Sequence, residues 1–397
     1  MVSFNLKSNS DIRWGISGRS MDKLQNLLSE IRELEFDTSK ILVLESDVTK
    51  EEAIKKVTRS AKVIINCTGP NTDLSETVVK ACIATGTHYV DISAELYHIL
   101  NIYRTYNKTA EDAEVLIIPA CGFISMPAVT GLMYLEKHFM GTLHSVDCYM
   151  DLQIPRRAYF GGCKNSVVHY GTWQSFVYDW HNNKRYTDLK KEIFPEPVIE
   201  PEQPENKKSF FHKRNGRWWY KYPSPDLDIV EMSQRYLQSK KGKRPVYFKM
   251  YSTMPLLIHF FIVIPALFFY YYASRLKFFR NLLWKFPRFF TLGLISHKGP
   301  SEQMRNDLKF SFKMTGKGWD NADTSMDPNQ SLTIQVSGTD PAYETTALSV
   351  LMSAITILSE RHHMPRGGIL SLGSAFCDTT IIDKLNSGGL KFEILKT

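Results

Sequence analysis

Residues Val63–Pro70 read VIINCTGP, and after an interval of helix length Gly86–Glu95 read GTHYVDISAE. In each, a short apolar run (Val63–Cys67, His88–Ile92) gives way to small polar residues. That is the pattern of a fully buried strand delivering a turn at its carboxyl end. Working outward, Ile12–Ser17, Ile41–Leu44 and Val115–Pro119 are further short apolar runs. Between them lie helical patterns. Met21, Leu24, Leu27, Leu28, Ile31 and Leu34 recur at helical spacing behind Ser20 as N-cap. Thr49 with Glu52 predicts a capping box opening a helix over Glu51–Ser60. A third helix near Glu76–Thr85 stops at Gly86, and a fourth covers Tyr97–Ala113. Strands alternating with helices in this way predict βαβ units on a parallel sheet, an α/β fold.

Ligands of an open α/β sheet bind at the carboxyl ends of its strands. After the first run come Gly18, Arg19 and Ser20, where a dinucleotide fold reads the adenosine ribose; an arginine there accommodates the 2′-phosphate of NADP. The other reading of Arg19 is an exposed arginine at a helix start. After the third run, Asn66, Cys67, Thr68, Gly69 and Pro70 form either a turn that lets a cofactor approach the backbone or a plain turn. Such folds usually open with a strand and a G-x-G-x-x-G loop that holds the pyrophosphate. Here Gly15 and Gly18 make only a G-x-x-G pair, and the sheet is read as starting at its second strand.

Gly18-Arg19-Ser20 with Asp22-Lys23-Leu24 resembles the A-G-R-x-x-x-K-L element of the saccharopine dehydrogenase-like oxidoreductases. VIINCTGP with Glu76 and Val78–Cys82, GTHYVDISAE, Cys121–Gly131 (CGFISMPAVTG), the His169-Tyr170-Gly171-Thr172-Trp173 run, Lys285–Pro287 and Gly299-Pro300 match later elements of that family in the same order. The resemblance implies a Rossmann-type sheet lacking its first strand and glycine loop over residues 1–125, in an N-terminally truncated member. It further implies a mixed α+β substrate or dimerisation domain over 126–369, with 370–397 returning to the first domain. NADP is the implied cofactor, with Gly18, Arg19, Ser20, Asn66, Thr68, Gly69, Pro70, Gly122 and Phe123 as the residues that would bind it. The animal branch of the family implies association with a membrane or lipid droplet, lipid or glycolipid metabolism, and a homodimer. The chain departs from the pattern at Ala94, Ile124, Val129 and Tyr170; Ile124 and Val129 stand where the family has acids. Asp91, Glu95 and His169 remain as weak catalytic candidates. The alternative is a catalytically inactive scaffold or binding protein on a membrane or droplet.

The 397 residues are 43% hydrophobic and 23% charged, which predicts an ordered globular protein and not a disordered one. A net charge of +8 raises nucleic acid as a partner, but no RNP-like, zinc-finger or helix-turn-helix signature accompanies it. Cys67, Cys82, Cys121, Cys148, Cys163 and Cys377 form no CxxC pair, which predicts free thiols in a reducing compartment and no metal site.

Met250–Ser274 carries no charged residue and ends in Tyr270-Tyr271-Tyr272, followed by Arg275, Lys277, Arg280, Lys285 and Arg288. The run is long enough to meet a membrane, as a re-entrant hairpin, as a helix lying in one leaflet and kinked at Pro265, or as a span. A buried core helix is the third reading. The expectation taken forward is a membrane-associating insert over about residues 250–297 in a cytosol-facing, membrane-bound protein. Pro195–Asn206 and the basic Lys207–Lys221, with Trp218 and Trp219, predict an exposed excursion suited to the same surface.

Overall fold

The computed structural model describes residues 12–160, 166–198, 210–253, 257–320 and 327–395. Its first part runs β1 (Gly15–Gly18), α1 (Met21–Glu33), β2 (Leu42–Glu45), α2 (Glu51–Arg59), β3 (Val63–Asn66), α3 (Asn71–Thr85), β4 (His88–Asp91), α4 (Leu96–Asp112), β5 (Leu116–Ile118) and α5 (Met126–His138). Strands β3, β4 and β5 pair in parallel, and Gly368–Ile369 adds a fourth strand beside β5. Strands β1 and β2 pair in parallel with each other. Among the described residues no strand joins β1 to β3, so the two remain separate sheets.

Local chemistry sets these elements. Helix α1 buries Leu24, Leu28 and Ile31, and Ser20 caps it by accepting from the Lys23 amide. Helix α3 ends at Gly86 in the left-handed region (φ 70°), which lets two amides close on the last carbonyls. The expected capping box at Thr49 does not form. Asp47 captures the Thr49 hydroxyl at 2.8 Å and its amide at 3.0 Å, and Lys50 takes the N-cap position without a side-chain bond. Helix α3 begins at Asn71, five residues earlier than its apolar pattern suggested.

The long strand β6 (Thr142–Gln153) enters a seven-stranded mixed sheet. Its neighbours are Lys309–Trp319 and Tyr247–Thr253, and Gln330–Thr339 and Lys391–Leu395 extend it on one side. The other edge is the hairpin Phe211–Arg214 and Arg217–Lys221, turned at Asn215-Gly216 with both residues at positive φ. Residues 199–209 of the expected excursion, and Cys163, lie outside the described residues. Trp219 is a core residue and not a surface one, packed edge-on against Tyr149, which stacks on Tyr251. Helix α5 and the helix Glu344–Glu360 lie between this sheet and the parallel one, and a single core runs through Val90, Ile118, Leu132, Met314, Val336 and Leu348. Gly131 makes the close approach possible, since a Cβ there would meet Met314 at 2.5 Å and Val336 at 3.0 Å.

The membrane expectations are overturned here. The apolar run belongs to two elements, the strand Tyr247–Thr253 and the helix Leu257–Ala273, which holds 17 residues and contains Pro265. Among the described residues no helix is long and apolar enough to cross a membrane. The helix instead docks through Tyr270 on Trp173 and Trp180 of the helix Tyr170–Ile193, while Phe268 and Phe269 stay exposed. The membrane-associating insert, the lipid-surface or lipid-droplet partner, the membrane-bound localisation and the place in lipid or glycolipid metabolism expected of the chain are therefore withdrawn.

Candidate active site

The parallel pairing sets the ends of β3, β4 and β5 side by side. Asn66 ends β3 opposite Asp91, which ends β4. The Asn66 amide donates to Tyr89 Oη at 3.0 Å and to Ser75 Oγ at 2.9 Å, and its oxygen accepts from the Thr68 amide and hydroxyl. Tyr89 then donates to Asp91 Oδ2 at 2.7 Å. Asp91 Oδ1 accepts from the amides of Ser93 at 2.9 Å and Ala120 at 3.0 Å. One fully buried carboxylate thus ties the β4 turn to the β5 turn. Burial raises its pKa, while the His98 charge and these donors pull the other way.

Glu95 performs a similar task on the next element. Its Oε1 accepts from the Asn71 amide and the Ser175 hydroxyl, both at 3.0 Å, and its Oε2 from the Thr72 amide at 2.8 Å and the Thr72 hydroxyl. The carboxylate thereby occupies the amino terminus of α3, the helix end that attracts anions. Neither Asp91 nor Glu95 presents an oxygen free of donors.

The turn after β5 is held by two helices distant in sequence and by the second sheet. The Phe123 amide donates to Thr346 Oγ1 at 3.1 Å, and the Phe123 ring meets Phe310 and Phe312 edge-on. Ser125 is fully buried at φ 104°, and its amide donates to Asp226 Oδ1 at 2.9 Å. Asp226 also accepts from Ser224, and burial pushes its carboxyl up to about 6. A sparsely populated φ at a non-glycine residue persists only where the surroundings enforce it.

The site residues expected from sequence fall into three places. Asn66, Thr68, Gly69, Pro70, Asp91, Glu95, Gly122 and Phe123 share the carboxyl ends of β3 to β5. A Cβ at Gly69 would meet no atom within 4 Å, so its backbone is open to approach. Gly18, Arg19 and Ser20 stand apart at the end of β1, with Arg19 exposed near the Asp47 carboxylate. His169 caps the helix Tyr170–Ile193, its Nδ1 accepting from the Gly171 amide at 3.0 Å. Sequence reasoning missed Tyr89, Thr72, Ser175, Asp226 and Thr346. Only Asp226 left a signal, as a Ser-Pro-Asp helix start, and that reads as capping.

Comparison with known proteins agrees with this architecture. Residues 3–118 match the family model described as the saccharopine dehydrogenase NADP binding domain. The human saccharopine dehydrogenase-like oxidoreductase is 29% identical over 98% of this chain and 91% of its own length. The mouse protein of the same name is 27% identical over the same shares. Among solved structures, apo saccharopine dehydrogenase (L-Glu forming) from Saccharomyces cerevisiae superimposes with a TM-score of 0.53 at 13% identity, covering 99% of this chain and 96% of that one, a likeness of fold alone. Over nearly its whole length the chain is similar to the saccharopine dehydrogenase-like oxidoreductases, and residues 3–118 match that family's NADP binding domain.

Proposed function

We propose that the chain is an NADP-type oxidoreductase whose substrate meets the cofactor where the ends of β3 to β5 face the second sheet. The observation that carries this reading is the Asp91 carboxylate, which locks the β4 and β5 turns to each other beside the open backbone of Gly69. The described residues fit the two ends of a dinucleotide. Gly18, Arg19 and Ser20 suit the adenosine side, with the Arg19 guanidinium available to a 2′-phosphate. Asn66, Thr68, Gly69, Pro70, Gly122 and Phe123 suit the nicotinamide side. The amino terminus of α3 is filled by Glu95 and does not hold the pyrophosphate. The bound cofactor supplies hydride transfer, and the protein supplies position and electrostatics. Asp91, Glu95, Thr346 and Asp226 hold the turn backbones that shape the cleft.

NADPH titration of the purified chain, followed by cofactor fluorescence and calorimetry, tests the reading. Saturable binding that weakens in Arg19→Ala is the expected result. No signal at millimolar NADPH sinks it and favours a non-enzymatic binding protein.

A further inference from the structure

The helices Leu257–Ala273 and Lys277–Lys285 are joined by the turn at Ser274–Leu276. On one side Tyr270, Leu283 and Trp284 pack against Trp173, Val177 and Tyr178 of the helix Tyr170–Ile193. The other side of the pair is uncovered. Phe268, Phe269, Tyr272, Leu276 and Phe278 are each between 52% and 69% exposed. Edge-on ring contacts make the surface continuous, Phe269 meeting Phe279 at 6.3 Å and Phe279 meeting Phe278 at 5.5 Å. At roughly 200 Å² per side chain, these residues leave on the order of 500 Å² of apolar surface, about the largest patch a monomer usually leaves uncovered.

The same stretch is cationic. From Met232 to Ser301 the chain carries no Asp or Glu, while Arg275, Lys277, Arg280, Lys285 and Arg288 all fall within it. Arg275 is exposed, and its guanidinium stacks over Tyr271 at 4.7 Å and Tyr272 at 5.1 Å. It also donates to Tyr271 Oη at 2.9 Å, and Tyr271 donates in turn to Asn183 Oδ1 at 3.0 Å. The helix Tyr170–Ile193 thus fixes this side chain in place. Among the described residues no carboxylate pairs with Arg275 or Lys277. A guanidinium held in one orientation suits a carboxylate in two-point contact, and arginine beside aromatic rings is the combination that anchors protein interfaces.

We propose that the uncovered face of these two helices docks an acidic amphipathic segment of a partner protein, with Arg275 as its charged anchor and Phe278 as an apolar one. Charge complementarity selects this occupant. A second copy of the same face would bring like charges together, and no described helix is long and apolar enough to cross a membrane. An acidic segment supplies the carboxylates this stretch lacks and covers the rings in the same contact. Docking there needs neither a cofactor nor the turns of β3 to β5, so the inference stands apart from the oxidoreductase reading.

Fluorescence titration of the full chain into a labelled synthetic peptide of Leu and Glu, patterned as an amphipathic helix, tests the assignment. The same composition in scrambled order, and the same pattern with Lys in place of Glu, are the controls. The acidic amphipathic peptide is expected to bind, and to bind more weakly as salt rises. Arg275→Gln and Phe278→Ala should each weaken it about tenfold or more. Arg275→Lys should fall between, because it keeps the charge and loses the planar fork. Both positions are exposed, so the melting temperatures of the variants should not move. No binding at about 1 mM peptide, or equal binding of either control, overturns the assignment. Flotation with phosphatidylcholine–phosphatidylserine vesicles that is lost in Arg275→Gln and Phe278→Ala overturns it in favour of a lipid surface. A dimer in sedimentation that Phe278→Asp dissolves overturns it in favour of a second copy.

Discussion

Two turns at strand ends solve opposite problems. Gly18–Ser20, after β1, is held by the Ser20 cap and by the Ser46 amide on the Gly18 carbonyl, and it leaves Arg19 in solvent. Asp91–Glu95, after β4, buries both carboxylates and meets every one of their oxygens with a donor. The first turn can lose its charged side chain without disturbing its neighbours, whereas the second is the joint of the fold. A carboxylate at a strand end therefore need not be a catalyst, and an arginine with few protein partners is the better sign of a ligand. Asp91→Ala tests the second half of that contrast with the largest expected effect. It strands the Tyr89 hydroxyl and the Ser93 and Ala120 amides in a dry site, at a cost of about 3–5 kcal/mol. Urea unfolding that shows a loss below about 1 kcal/mol would break the comparison.

Asp226, the anchor of the β5 turn, makes the contrast depend on pH. Its carboxyl is raised from 3.8 to about 6 by burial, so the folded chain binds that proton more tightly than the unfolded chain does. Its stabilising contribution is full below about pH 4 and is lost as pH rises to about 6, by roughly 2–3 kcal/mol. Asn mimics the protonated acid and should still accept the Ser125 amide. Asp226→Asn should therefore match the native chain below pH 4 and exceed its stability by about 2 kcal/mol at pH 7. Parallel denaturation curves at both pH values would refute this assignment. Glu95→Gln comes next. It removes a charge from the amino terminus of α3 but keeps the shape, for about 1–2 kcal/mol, and an unchanged melting temperature would show that the cap is idle.

The parallel strands were legible because a strand buried on both faces reads as a continuous apolar run, as Leu116–Ile118 does, and Val63–Asn66 carries the same kind of run although Ile65 is exposed. The helix stop at Gly86 was legible because only that residue suits the left-handed cap. The Thr49 cap failed because Asp47, two residues back, competes for the same hydroxyl. Met250–Ser274 misled because an apolar run carries no mark of where a strand ends and a helix begins. The holders of the β5 turn were invisible for a different reason. Ser125 meets Asp226 across 101 residues of chain and Phe123 meets Thr346 across 223, distances over which local pattern carries no information. The positioning frame of the site is tertiary, and only its backbone turns are written locally.

Arg19→Ala supplies the smallest effect on stability and the sharpest test of the first turn. The side chain is exposed, and its one described electrostatic partner is the exposed Asp47 carboxylate. Losing it should change folding stability by no more than about 0.5 kcal/mol. If the guanidinium meets a 2′-phosphate, the same substitution should weaken NADPH about tenfold or more and leave NADH nearly unchanged, because only NADPH carries that group. Arg19→Glu should go further and invert the preference by repelling the phosphate. Parallel NADPH and NADH titrations of the three proteins separate the outcomes. Equal weakening of both cofactors would mean that Arg19 acts on a feature they share, and the NADP assignment at the end of β1 would fall while the locked turns of β3 to β5 kept theirs.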